Sequence, residues 1–93
     1  MDTQNVNLVA KGDSLAVKPG EKVVVGAKQL RKAFNRGAVN RVFLARNADP
    51  ALTEPLEAMC KDRSVKCVWV KSMTDLGQAC GIEVGAAAAA VVN

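Results

Sequence analysis

Apolar and polar positions along the chain change period several times, and each change marks an element. Lys22-Val23-Val24-Val25 is a short β-branched run that stops at Gly26, which predicts a strand. From Ala27 to Arg36 the pattern turns helical. At about 100° per residue, Ala27, Leu30, Ala33 and Phe34 share one face. Lys28, Arg31, Lys32, Asn35 and Arg36 share the other, with Gln29 at its border, and Gly37 supplies a C-terminal stop. Arg41-Val42-Phe43-Leu44-Ala45 then reads as a buried strand. Asp49-Pro50 opens a turn, and Leu52, Leu56, Met59, Cys60 and Arg63 mark a second helix. Proline is tolerated in the first turn of a helix, so Pro55 points to Thr53 as the N-cap. Lys66 to Val70, with Trp69, is a third strand. Ser72, followed three residues later by Asp75, resembles a capping box for a short helix closed by Gly81.

The two ends are harder. Residues 1–20 contain Leu15, Ala16 and Val17, which could end a short helix, but Gly12 and the Pro19-Gly20 pair interrupt anything longer. At the other end, Ala86 to Ala90 are the best helix formers available. They follow Gly85 and run into Val91-Val92, where a helix would have only about two turns and be marginal. A buried strand of small side chains beneath a helix is the rival. The alternation of strands and helices points to a three-layer α/β sandwich, and in that setting 87–92 is read as a strand.

Composition narrows the class. The 93 residues suit one domain spanning 1–93, with 1–20 as an unclear N-terminal segment and 21–93 as its core. Apolar residues make up 49%, enough for a core, and with only Phe34, Phe43 and Trp69 as aromatics that core must be built from Val, Leu and Ala. Thirteen Lys and Arg against nine Asp and Glu give +4, which favours an anionic partner without identifying it. The chain has no histidine, which removes Ser-His-Asp and Cys-His nucleophilic sites and His-ligated zinc together. No GxGxxG or Walker-type loop is present. A non-enzymatic chain with no cofactor, metal or small-molecule substrate is expected. Cys60, Cys67 and Cys80 form no CxxC pair, which argues for buried thiols in a reducing compartment. Met1-Asp2-Thr3-Gln4-Asn5 offers no basic n-region, and no apolar run approaches membrane-spanning length. The expectation is a cytoplasmic monomer.

Two segments carry the candidate chemistry. Between Gly26 and Gly37, Lys28 faces Lys32 and Lys32 faces Arg36 at i,i+4 spacing. Each like-charge pair costs the helix on the order of 0.2–0.5 kcal/mol unless something neutralises it. The helix also points its unpaired N–H groups out of a glycine turn. Backbone donors, the Gln29 amide and two or three cations converging there suit phosphate and base-edge recognition. A solvated basic helix face is the plainer alternative. The second segment, Leu76 to Ala87, reads by itself as a helix cap and a turn into the last strand.

Together the two segments resemble the kink-turn-binding ribosomal protein superfamily, with archaeal large-subunit protein seven-Ae and eukaryotic large-subunit protein thirty-e as familiar members. The similarity is greatest to its small bacterial representatives. Those carry Gly-x-Lys-Gln-x-x-Lys-Ala followed by Arg-Gly, matched here from Gly26 to Gly37. Several members carry Ala-Asp-Pro, matched at residues 48–50. The last motif, Leu-Gly-x-Ala-Cys-Gly-Ile-Glu-Val-Gly-Ala-Ala, is matched from Leu76 to Ala87. The resemblance spans roughly residues 22–92 in order, while the first 20 residues depart from the regular helix with which relatives usually begin.

The resemblance implies an α/β/α sandwich with a four-stranded mixed sheet, and hence a strand for the alanine run. It also implies an RNA partner whose two helices meet at a sharp bend flanked by tandem sheared G·A pairs, in a ribosomal or ribosome-associated setting. By position, contacts to that RNA would fall on the Gly26 and Ala27 backbone, Lys28, Gln29 and Lys32, with Arg36 further along the helix. Ile82, Glu83 and Val84 match the family's second contact loop, and Asp49 and Met73 match positions near the extruded base. Many members have Asn-Glu where this chain has Lys28-Gln29, which replaces a carboxylate acceptor by an amide oxygen and adds a positive charge. A protein-interaction module on the same fold is the alternative of a different class; the set Lys28, Gln29 and Lys32 beside Gly26 is what separates the two.

Overall fold

The computed structural model describes residues 20–93, so expectations for residues 1–19 lie outside the described part of the chain. In chain order the elements are β1 (Lys22–Val25), α1 (Ala27–Asn35), β2 (Val39–Ala45), α2 (Pro50–Asp62), β3 (Lys66–Val70), α3 (Met73–Ala79) and β4 (Ala88–Val92). The strands form one mixed sheet in the order β1-β4-β2-β3. Strand β4 is antiparallel to both neighbours, with Val24 opposite Ala90 on one side and Phe43 opposite Ala89 on the other. Strands β2 and β3 are parallel, with Leu44 opposite Trp69. Thus β1, β2 and β3 all run one way and β4 runs back between them.

Period-two alternation divides the core. Val42, Leu44, Ala88 and Ala90 face one side, where they meet Leu30 and Phe34 of α1 and Leu56 and Cys60 of α2. Phe43, Ala45, Ala89 and Val91 face the other, where they meet Leu76 of α3. Two helices on one face and one on the other make the expected three layers. Leu30, Leu44, Leu56 and Leu76 are wholly buried, each contributing about 1.5–3 kcal/mol relative to exposure. The alanine run is the strand next to α1, as small side chains beneath a helix require, and begins at Ala88 rather than residue 87.

Other boundaries also differ from the sequence expectation: α1 ends at Asn35 rather than Arg36, β2 begins at Val39 rather than Arg41, and the start of α2 differs most. Helix α2 is capped by Asp49, whose Oδ1 accepts from the Ala51 N–H at 2.9 Å, with Pro50 in the first turn. Thr53 is not the cap but a buried residue inside the helix, and Pro55 lies in its interior. Pro55 cannot donate to the Ala51 carbonyl. Both residues are on the exposed side, where solvent can hydrate that carbonyl. Burial of Thr53, Leu56 and Cys60 on the opposite face outweighs the lost bond. The third helix begins as expected: Ser72 Oγ accepts from the Asp75 N–H at 3.1 Å, and Gly81, at φ 79°, follows its last turn.

Candidate nucleic-acid interface

Because β1, β2 and β3 share a direction, their C-terminal ends gather at one edge of the sandwich, together with the start of β4. Backbone hydrogen bonds fasten the loops there. Gly26 N–H donates to Ala88 O at 2.8 Å, Ala45 N–H to Ala87 O at 2.9 Å, and Arg46 N–H to Val70 O at 2.8 Å. The Met73 N–H donates to Asn47 Oδ1 at 2.8 Å, which ties the loop after β2 to the start of α3. Segments far apart in sequence, around residues 26–29, 46–49, 71–73 and 82–86, thereby share one end of the molecule.

Gly26 is the N-cap of α1, with φ 102° and ψ 147°, a conformation that residues with a Cβ rarely adopt. It offers no side-chain oxygen to the first turn, and that turn holds no acidic residue. The first-turn N–H groups of a helix have no intrahelical acceptor, and among the described residues no side chain caps the positive end of α1. Lys28 and Gln29 are exposed beside it. Lys32 is exposed one turn on, and helical side chains lean toward the N-terminus. Among the described residues neither Lys28 nor Lys32 has a carboxylate partner; the ion pair there joins Arg41 to Glu21 at 2.8 Å, away from this edge. No described carboxylate therefore relieves the like-charge spacing of the helix. Arg36, by contrast, is the C-cap of α1, eight residues and about 12 Å beyond Lys28 along the axis. The structure does not bring it to the same end.

The loop after α3 reaches this edge because Gly77 lets it approach. A Cβ at Gly77 would collide with the Val84 carbonyl oxygen. The Ile82 N–H donates to Gly77 O at 3.0 Å, and Ala86 N–H to Met73 O at 3.0 Å. The two apolar residues of the loop separate: Ile82 is half-buried against the core, whereas Val84 is 70% exposed. Glu83 is exposed. Asp49 Oδ1 is engaged in capping α2, and Met73 is half-buried beneath Gly85, so both shape the edge through their own local contacts.

Arg46, Asn47 and Lys71 are the residues that sequence reasoning passed over. Arg46 and Lys71 are exposed cations one residue beyond β2 and β3. The available signal was position: a basic residue directly after a buried strand, at the end where the first motif also lies. Away from this edge, a cleft of about 220 Å³ is lined by Phe34, Gly37, Val39, Arg63 and Val65 and contains none of the candidate residues. Among the described residues there is no group of metal-ligating side chains, and no helix is long and apolar enough to cross a membrane.

The cysteines are free thiols, with Cys60 buried and Cys67 and Cys80 half-buried. Burial pushes the Cys60 thiol up to about 12 from an ordinary value of 9.0, and the neighbouring Cys67 adds to the shift; burial also raises Cys67 and Cys80. A raised thiol favours the folded state fully below pH 9, and this contribution is lost as pH rises toward 12. Since the thiolate is the nucleophile, alkylation of the native protein at pH 8 is expected to be slow at Cys60. Denaturation midpoints in reductant are expected to fall between pH 9 and 12. Rapid labelling of Cys60 in the native state would contradict the assignment.

Comparison with known proteins agrees with this architecture. The chain is 42% identical over 76 residues to an "RNA-binding protein" of Bacillus pumilus (strain SAFR-032), covering 82% of this chain and 93% of that one. It is 39% identical over 72 residues to the "RNA-binding protein YbxF" of Geobacillus stearothermophilus, covering 77% of this chain and 88% of that one. Among solved structures, the Giardia lamblia 15.5kD RNA binding protein matches with a TM-score of 0.72 and 33% identity, over 95% of this chain and 70% of that one. These relatives are described as RNA-binding proteins rather than enzymes. The family model for ribosomal protein L7Ae/L30e/S12e/Gadd45 matches residues 9–93, and the chain belongs to that family.

Proposed function

We propose that the chain binds RNA, and that it recognises kink-turns through the edge formed by the start of α1 and the loop after α3. One observation carries the reading: a helix N-terminus that, among the described residues, has no side-chain cap and no carboxylate partner for Lys28 or Lys32 shares one end of the sandwich with an exposed Val84. Amide donors and cations suit phosphates and base edges, and an exposed apolar side chain suits the face of an unstacked base. In this reading Gly26, Ala27, Lys28, Gln29 and Lys32 enter the widened groove at the sheared G·A pairs. Ile82, Glu83 and Val84 lie over the extruded nucleotide, with Asp49 at its margin, and Arg36 acts only where the RNA extends along α1. The protein acts as a cytoplasmic monomer on ribosomal or ribosome-associated RNA.

A gel-shift titration at fixed salt tests the specificity. Binding to a kink-turn RNA is expected to weaken at least tenfold, about 1.4 kcal/mol, when the sheared G·A pairs become Watson–Crick pairs. Equal affinity for the two RNAs would reject kink-turn recognition.

A further inference from the structure

Arg46 is an exposed cation whose surroundings are fixed from several sides. Its own N–H bonds to Val70 O, Ala48 N–H closes a turn on Ala45 O at 3.2 Å, Asn47 receives the Met73 N–H, and Asp49 caps α2. The side chain folds back so that its Cζ lies 5.9 Å from the centroid of the Trp69 ring. A guanidinium over an aromatic face is attracted to it and loses some of its freedom before any ligand arrives. Its N–H donors stay available, and among the described residues no carboxylate engages them. Lys71, exposed and one residue past β3, adds a second positive charge nearby.

Placement decides what such a group can do. Lys28 follows β1 and Arg46 lies over β3, at opposite sides of the same sheet end. The outer strands are three inter-strand spacings apart, roughly 14 Å. Trp69 packs on the same face of the sheet as α1 and α2, so an RNA seated on the start of α1 and extending along this end toward β3 would meet the cation held over its ring. We propose that Arg46, held over Trp69, is a second backbone-binding point that takes an RNA phosphate on the far side of the sheet end from Lys28. The assignment rests on the RNA-binding reading above. Guanidinium donors match a phosphate in bidentate fashion, so the contact anchors and orients the RNA without reading its sequence.

The test uses the full chain, a kink-turn RNA and the same RNA with its G·A pairs replaced, titrated over a range of salt. Arg46→Ala and Arg46→Gln are each expected to bind the kink-turn RNA at least fivefold more weakly. Each should also lower the salt slope by about one counterion. The glutamine variant keeps an aliphatic stem over Trp69, so a role limited to covering the ring would leave its binding unchanged. The loss should be of similar size on both RNAs, because a phosphate contact does not depend on the G·A pairs. Trp69 is the sole tryptophan, and its emission is expected to change on RNA addition and to change less in both variants. Thermal midpoints equal to wild type establish that each variant is folded. If wild type discriminates the two RNAs but both Arg46 variants keep wild-type affinity and slope, the Arg46 assignment is overturned and the kink-turn reading stands. If wild type binds both RNAs equally while the Arg46 variants lose affinity and slope, kink-turn specificity fails and the phosphate contact stands. If wild type binds neither RNA, both are overturned.

Discussion

Replacing Gly77 with alanine is expected to lower the unfolding free energy by about 3 kcal/mol, the upper part of the range for overpacking a fixed site. Two effects oppose each other here. Gly77 lies within α3, where alanine gains about 1 kcal/mol of helix propensity over glycine. Against that, the new methyl would collide with the Val84 carbonyl, a backbone atom that cannot rotate aside. Relief requires the segment around 82–85 to move away, breaking the Ile82-to-Gly77 hydrogen bond and shifting Val84. The steric cost is larger than the propensity gain, so the sign should be destabilising. RNA affinity should fall as well, because the displaced segment forms part of the proposed interface. Urea denaturation gives the first quantity and a gel-shift titration the second. A more stable variant would show that the loop relaxes freely and that Gly77 does not position it.

Lys32→Ala is expected to weaken RNA binding by about 1–3 kcal/mol and to reduce the salt slope by roughly one counterion. Its ammonium is exposed, has no carboxylate partner among the described residues and leans toward the uncapped end of α1. Removing it should cost little stability and relieve its repulsion with Lys28 and Arg36. The contrast is with the apolar loop. Changing Ile82 and Val84 together to alanine should also weaken binding by on the order of 1–3 kcal/mol, in line with a lost base-stacking contact, while leaving the salt slope intact. The structure refines that comparison. Ile82 packs against the core and Val84 does not, so the double change should lower stability too, and Val84→Ala alone isolates the binding effect. Unchanged affinity and slope in a folded Lys32→Ala protein would remove this lysine from the interface.

What could be read from the sequence was mostly what periodicity and capping chemistry determine locally. The helix of Leu30, Ala33 and Phe34, the strand ending at Gly26 and the Ser72 cap each follow from a few adjacent residues, and the structure has them where expected. The alanine run needed its neighbours, because propensity favours a helix there and only the surrounding layers favour a strand. Asp49 outcompeted Thr53 as a cap because tertiary burial of the Thr53 face extends α2 back past Pro55. The candidate edge was legible as two motifs but not as a surface. Nothing in the spacing of residues 82–84 says which apolar side chain turns inward, since that depends on how closely the loop approaches Gly77. Likewise Arg46 and Trp69 are 23 positions apart, and only the parallel pairing of β2 with β3 brings them together.

The alanines of β4 give the molecule little slack. Ala88 and Ala90 are fully buried in the same cluster as Leu30 and Phe34, and the Ala88 carbonyl accepts the Gly26 N–H at the root of α1. A methyl-thick spacer sets the height of the helix above the sheet, while a hydrogen bond at one end acts as its pivot. Enlarging the spacer under the far turns would therefore tip α1 about that pivot, re-aiming its first-turn amides without touching a residue at the surface. In a chain built this way, the aim of the exposed edge is inherited from its innermost strand, and drift in the interior becomes drift in what the outside can grip.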